Sequence, residues 1–150
     1  MPQSLTKVYV HIVFSTKDRY PYITDDIKDE LFDYLGGICK NMECYPVRIG
    51  GYRNHIHILC ILSKKTPLVK LVEETKKSSS KWIKTRGSKF AKFHWQNGYS
   101  AFSVNPAQTG IVTDYIDNQE EHHRKKTFEE ECRAFFRKYS VDFDEKYVWD

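Results

Sequence analysis

The chain has 150 residues, which suits one domain over residues 1–150 with a sizeable hydrophobic core. A mean hydropathy of −0.63 and the lack of any apolar run of membrane-spanning length exclude a membrane-spanning class. Four cysteines without a CxxC pair argue against a zinc ribbon or a disulfide scaffold, so we expect a soluble protein of the reducing cytoplasm.

Basic residues are concentrated in the middle of the chain, although the formal net charge is only +4. Residues 64–92 contain ten lysines and arginines and only two acidic residues, whereas residues 1–63 contain seven of each kind. Such a segment indicates a polyanionic partner, because contacts to phosphates supply salt-dependent affinity. A solvated helix face would have the same composition.

The first predicted elements are a strand and a helix. Apolar residues alternate over residues 5–16 and occupy both faces, which is typical of a central strand. His11 lies on one of these faces, where we expect a packed or hydrogen-bonded core histidine. A helical pattern follows and ends near Met42. Two strands come next, at residues 45–49 and 55–62, joined by a glycine-containing turn or bulge.

The second strand of this pair carries two histidines that alternate with aliphatic residues. In an extended strand His55 and His57 project from one face, while Ile56 and Ile58 point into the core. Two neutral imidazoles on a stiff strand are positioned to hold one metal ion, with room for a third ligand and a substrate. A pair of half-exposed histidines would show the same pattern. Arg53, just before the strand, is a candidate phosphate contact or a surface charge.

A basic helix and an aromatic loop follow. Proline at position 67 opens a helix that runs to about residue 86 and directs its apolar side inward. Residues 87–98 interleave lysines with aromatic residues, a pattern suited either to stacking on unpaired bases or to anchoring a long loop. A last strand spans residues 99–104. The candidate DNA-binding lysines of this region are Lys76, Lys77, Lys81, Lys84, Lys89 and Lys92.

Two helices complete the predicted order. The first begins after Asn105, runs to about Arg124 and carries Tyr115 and Gln119 one turn apart on one face. A capping box at Thr127 begins the second. The predicted fold class is therefore α+β: a ferredoxin-like βαββαβ antiparallel sheet with additional C-terminal helices.

Together these short motifs resemble the single-tyrosine transposases of the HUH nuclease superfamily, which are encoded by the smallest bacterial insertion sequences. Asn54 stands where many members have an acidic residue. This difference affects the surroundings of the metal ligands and not the ligands themselves. The matching segments cover nearly the whole chain, namely residues 10–17, 55–57, 95–104, 115–119 with 122–123, and 127–131.

The resemblance implies a DNA transposase that cleaves and rejoins single-stranded DNA. Tyr115 would be the nucleophile that forms a covalent phosphotyrosine, and His55, His57 and Gln119 would hold Mg²⁺ or Mn²⁺. His122 and His123 remain alternatives for the third ligand, since imidazole binds transition metals better than an amide does. The resemblance further implies hairpin-containing element ends as partner, a homodimer, and a nucleoid-associated place in a bacterial or archaeal cell.

Two other functions share part of this pattern. A non-catalytic ferredoxin-like nucleic-acid-binding module would use an exposed sheet face and its aromatic residues, as RNA-recognition domains do, but it leaves the histidine pair unexplained. A domesticated relative that processes repeats of its host would have the same active site as an autonomous transposase, and the sequence does not separate these two.

Overall fold

A computed structural model describes residues 2–150, in which four strands and five helices form the main elements. The strands pair antiparallel in the order β2-β3-β1-β4, so the α+β class and the ferredoxin-like βαββαβ order with additional C-terminal helices are confirmed. The elements are β1 (Val8–Ser15), α1 (Lys28–Asn41), β2 (Pro46–Tyr52), β3 (His55–Leu62), α2 (Leu68–Lys84), β4 (Ser100–Val104), α3 (Thr109–Asp117), α4 (Gln119–His123) and α5 (Phe128–Lys138).

The main hydrophobic core lies between the sheet and the helices α1 and α2. Ile56 and Ile58 of β3 are fully buried there, together with Leu31 of α1 and Leu71 of α2. The helices α1 and α2 cover this face of the central strands β1 and β3, so its side chains are buried and apolar. Within residues 2–150, none of the helices has the length and apolar character that a membrane crossing requires.

The opposite face of the sheet carries the C-terminal helices. Val13 of β1 packs against Phe128 and Phe136 of α5, and Leu59 of β3 packs against Ile116 of α3. His11, His55 and His57 belong to this face because each is two or four residues from one of these apolar positions. The histidine pair therefore lies beneath α3, α4 and α5.

The predicted single helix through Tyr115 and Gln119 is two helices, with a break at Asn118. Asn118 has non-helical backbone angles of φ −102° and ψ 25°, and its side-chain amide donates to the carbonyl oxygen of Asp114 at 2.7 Å. Asparagine side chains that bond nearby backbone groups compete with helical hydrogen bonds, which explains the break. Gln119 begins α4 and is buried against the sheet.

The aromatic residues of the 87–98 loop are anchors of that loop. Phe90, Phe93 and Trp95 are buried, and the Trp95 indole donates to the Ser79 hydroxyl at 2.9 Å. Of the two alternatives that the sequence allowed, the structure therefore supports anchoring. Rings buried in this way are not available to stack on nucleic acid bases.

A close approach between β2 and α3 depends on Gly50. The hairpin between β2 and β3 turns through only Arg53 and Asn54, so Gly50 lies inside β2 rather than in the predicted turn. A Cβ atom at Gly50 would lie 2.7 Å from Cγ2 of Ile116 and 3.1 Å from its carbonyl oxygen. Only glycine leaves room for α3 at this distance.

We expect Gly50→Ala to lower the free energy of unfolding by about 1–3 kcal/mol, because the added methyl group overlaps α3. Gly37→Ala is the matched control, since its Cβ would meet nothing within 4 Å in α1. That control should raise the free energy of unfolding by about 0.5–1 kcal/mol through helix propensity. Urea denaturation measures both, and equal stability of the two variants would contradict the packing described.

Candidate active site

His55 and His57 of β3 face the side-chain amide of Gln119, which belongs to α4. Both imidazoles are fully buried, and they lie on the same face of β3 as the sequence predicts. The Oε1 atom of Gln119 lies 2.8 Å from Nε2 of His55 and 3.0 Å from Nε2 of His57. Gln119 is the first residue of α4, directly after the break at Asn118. Three side chains predicted from distant parts of the sequence therefore meet here.

Glu131 of α5 is a fourth member of this cluster. Its Oε1 atom lies 3.2 Å from Nε2 of His57 and 3.5 Å from Nε2 of His55. Among histidine, cysteine and acidic side chains of residues 2–150, only His55, His57 and Glu131 form a group of three or more whose ligand atoms, one from each residue, all lie within 4.8 Å of one another. The sequence interpretation missed Glu131. A signal was present, since an acidic residue occupies position 131 on the apolar stripe that includes Phe128 and Cys132.

The other ring nitrogen of each histidine has its own partner. Nδ1 of His55 lies 2.9 Å from Oδ1 of Asn54, and Nδ1 of His57 lies 2.8 Å from Nε2 of His11. His11 is thus the hydrogen-bonded core histidine that we expected. Burial lowers the pKa of His11 and of His55 to about 3, so both imidazoles are neutral, which is the form that binds metals.

The cluster fits a divalent metal ion. Ligand atoms about 2.1 Å from an octahedral ion lie about 3 Å apart, and the four nitrogen–oxygen separations in the cluster range from 2.8 to 3.5 Å. Two imidazoles, one carboxylate and one amide oxygen form a mixed nitrogen and oxygen donor set. Such a set suits Mn²⁺ better than Mg²⁺, which prefers oxygen.

Tyr115 is held against the same carboxylate. Its hydroxyl donates a hydrogen bond to Oε2 of Glu131, and its ring centroid lies 5.8 Å from that of His57. The half-buried ring borders a cavity of about 180 Å³ that Lys126 and Lys138 also line. A phosphate entering this cavity would meet the phenol and two ammonium groups.

Burial, followed by the negative charge of Glu131, raises the pKa of Tyr115 well above its ordinary value. Burial also acts to raise the pKa of Glu131, but the neighbouring imidazoles of His57 and His123 outweigh it and hold that pKa well below the ordinary value. The phenol is therefore protonated and the carboxylate ionised. The Glu131 carboxylate, which can accept a proton, is thus already hydrogen-bonded to the Tyr115 hydroxyl.

His122 and His123 occupy different places around the cluster. Nε2 of His123 lies 3.0 Å from Oε1 of Gln119 and 3.3 Å from Oε2 of Glu131, and its ring meets that of His55 edge-on, with centroids 4.5 Å apart. The His122 ring lies over Tyr115, with centroids 4.5 Å apart. Gln119, one of the three alternatives for a third ligand, has its side-chain oxygen within 3.0 Å of Nε2 of both paired histidines.

Comparison with known proteins identifies the family. The family model described as "Transposase IS200 like" matches residues 4–119, which is most of the chain. The chain belongs to the IS200-like transposase family. The resemblance that the motifs indicated is thereby confirmed. No curated protein matches the chain significantly.

Two solved structures share the fold of this family member. A crystal structure assigned as a transposase from Deinococcus radiodurans is 20% identical, covers 79% of this chain and 98% of its own, and has a TM-score of 0.62. A REP-associated tyrosine transposase bound to a REP hairpin is 12% identical, covers 82% of this chain and 73% of its own, and has a TM-score of 0.60.

The predicted DNA-binding residues of this transposase lie on two separate surfaces. Arg53 borders a groove of about 550 Å³ beside the histidine cluster, which Arg124, Lys125 and Lys126 also line. The exposed lysines Lys77, Lys81 and Lys84 belong to α2, whose apolar side packs on the opposite face of the sheet. Lys89 and Lys92 are exposed in the following loop, where Lys89 pairs with Asp26 at 3.1 Å.

Lys76 differs from the other lysines because its ammonium group is bound within the protein. It donates to the carbonyl oxygens of Gln96, Asn97 and Gly98 at 2.8, 3.1 and 2.6 Å, and it lies 5.1 Å from the centre of the Phe14 ring. Burial lowers the pKa of Lys76 to about 8, while the three carbonyl oxygens favour the charged form. Lys76 therefore holds the end of the aromatic loop.

We expect Lys76→Met to lower the free energy of unfolding by about 1–3 kcal/mol, because three carbonyl oxygens lose their donor. Lys77→Met, one residue away and exposed, should change it by less than about 0.5 kcal/mol. Urea denaturation of the two variants tests this difference. A Lys76 variant as stable as the Lys77 variant would show that the three bonds do not stabilise the loop.

Proposed function

We propose that this family member is a metal-dependent transposase that cleaves and rejoins single-stranded DNA through a covalent phosphotyrosine at Tyr115. The observation that supports this most is the carboxylate of Glu131, which joins the phenol to the histidine pair. One of its oxygens accepts from Tyr115, and the other lies 3.2 Å from Nε2 of His57. The nucleophile and its proton acceptor thus line one cavity, and the same carboxylate belongs to the cluster suited to a metal.

In the proposed reaction the Tyr115 oxygen attacks the phosphorus of a phosphodiester. A bond forms between the phenol oxygen and phosphorus, the bond from phosphorus to the 3′-oxygen breaks, and the phenol proton passes to Glu131. The departing 3′-oxygen takes a proton from solvent. The new ester conserves the free energy of the original bond, so a 3′-hydroxyl can reverse the step and join strands without a nucleotide cofactor.

His55, His57, Gln119 and Glu131 would hold the cofactor, Mg²⁺ or Mn²⁺. A bound divalent ion supplies Lewis acid chemistry, because it polarises the phosphate and neutralises charge on the leaving oxygen. Gln119 comes from the family resemblance, whereas Glu131 comes from the geometry of the cluster. The orientation of Asn54, with its oxygen toward Nδ1 of His55, supports Nε2 as the ligand atom.

The proposed substrate is single-stranded DNA with hairpin-containing ends. The likeness to a transposase bound to a REP hairpin supports this substrate. The same likeness favours a second candidate function, a domesticated nuclease that processes repeats of its host with the same active site. A homodimer and a nucleoid-associated location remain predictions from the family resemblance.

We further propose that the groove at Arg53 guides the unpaired strand to Tyr115. Lys126 lines both this groove and the tyrosine cavity, so the two lie next to each other. Glu129 and Glu130 also line the groove, but among residues 2–150 no ion pair engages Arg53, Lys125 or Lys126. Three free cations beside the cavity suit a phosphate backbone. The lysines of α2 would bind a separate, structured part of the DNA.

A covalent adduct is the decisive test of this function. With labelled hairpin oligonucleotide and Mn²⁺, the chain should form a denaturant-resistant protein–DNA adduct, and Tyr115→Phe should abolish it because the nucleophile is gone. Tyr45→Phe, an exposed tyrosine far from the cavity, should form the adduct normally. His57→Ala should reduce cleavage by at least about 100-fold while DNA binding persists. An adduct that survives in Tyr115→Phe would refute the assignment.

The two basic surfaces can be separated with triple variants that remove the same charge. In the Tyr115→Phe background, we expect Arg53→Gln with Lys125→Gln and Lys126→Gln to weaken binding of a short thymidine oligonucleotide. The salt slope should fall by about 2, since three phosphate contacts are lost. The matched control is Lys77→Gln with Lys81→Gln and Lys84→Gln.

That control should weaken binding of hairpin DNA and leave the short oligonucleotide nearly unaffected. Fluorescence anisotropy at several salt concentrations measures both substrates. If both triple variants weaken the short oligonucleotide equally, the groove has no special part in binding the unpaired strand.

A further inference from the structure

His11 lies directly behind His57 and contacts it on the side away from the cluster. The two residues are diagonal neighbours on one face of the paired strands β1 and β3, since Val13 is opposite His57 and His11 is opposite Leu59. Their rings stack with centroids 5.0 Å apart, and Nε2 of His11 lies 2.8 Å from Nδ1 of His57. The His11 ring is 1% exposed and also contacts the Phe135 ring.

This bond is sensitive to the tautomer of both rings. Of two neutral ring nitrogens that share a hydrogen bond, one carries the hydrogen and the other accepts it. Nε2 of His57 faces two oxygen atoms, from Gln119 and Glu131, so without an ion it donates to them. Nδ1 of His57 then accepts from Nε2–H of His11.

A metal ligand requires the opposite arrangement. When Nε2 of His57 offers its lone pair to an ion, the hydrogen of that ring lies on Nδ1, and Nε2 of His11 must accept it. The hydrogen of His11 then lies on its own Nδ1. Both arrangements contain the same number of protons and keep the hydrogen bond between the rings, so this pair can change from one to the other without a net gain or loss of protons.

We propose that His11 is the positioning residue that holds His57 in its metal-binding tautomer and thereby sets the metal affinity of the site. The inference rests on the metal-binding part of the proposed function. His11 lies in the matching segment of residues 10–17 but is not one of the ligating side chains, and it makes no contact with the proposed ion position. His11 would affect metal binding only through its hydrogen bond with Nδ1 of His57. Loss of such an outer partner lowers metal affinity about 10–100-fold.

The test is titration calorimetry of the full chain with Mn²⁺. His11→Leu should weaken Mn²⁺ binding about 10–100-fold, because Nδ1–H of His57 would be buried without an acceptor. His11→Gln should stay within a few-fold of the parent protein, since its amide oxygen can accept that hydrogen bond. His94→Leu, at an exposed histidine, should bind Mn²⁺ like the parent protein.

A second measurement follows the tautomer itself. Long-range ¹H–¹⁵N spectra with Mg²⁺ should report the Nδ1–H form of His57 in the parent protein and in His11→Gln. If His11→Leu binds Mn²⁺ as tightly as the parent, or if His11→Gln is as weak as His11→Leu, the inference is overturned. A parent protein that binds no Mn²⁺ overturns both the inference and the metal site. A missing adduct with normal Mn²⁺ binding overturns only the proposed reaction.

Discussion

A carboxylate buried among imidazoles holds the site together. An ionised group loses several kcal/mol of hydration when it is buried, so it remains charged only if partners compensate it on every side. Glu131 has such partners: the hydroxyl of Tyr115 and ring nitrogens of His57 and His123. Removing any one of them leaves the others facing a poorly compensated charge, which makes the cluster cooperative.

The apolar residues of α5 bring Glu131 to this place. Phe128, Cys132 and Phe136 pack against Val13 and other apolar side chains of the sheet, and Glu131 falls within the same helical stripe. Hydrophobic burial of the neighbours thus offsets the cost of desolvating the carboxylate. The helix that stabilises the fold is also the helix that completes the candidate active site.

The two faces of the sheet have different tasks. The helices α1 and α2 cover one face with a dense apolar core that supports β1 and β3. The other face carries polar side chains under three shorter helices, and a break at Asn118 separates Tyr115 from Gln119. Tyr115 and Gln119 stand on either side of this break and both reach the cluster, since the Tyr115 hydroxyl donates to Glu131 and Oε1 of Gln119 lies 2.8 Å from Nε2 of His55.

The sequence by itself determined the order of the strands and helices, apart from the break at Asn118, and its motifs indicated the family. Alternation in β3 was enough to place His55 and His57 on one face, because side chains in a strand follow a period of two that tertiary contacts do not change. Three features depend on which segments meet in space. They are the position of Glu131 in the cluster, the burial of the aromatic residues of the loop and the hydrogen bonds of the Lys76 ammonium group. These were decided only by the tertiary structure, since a helical stripe shows which side is buried but not what that side will contact. Burial and partner geometry then turn the same residue types into ligands, anchors or surface charges.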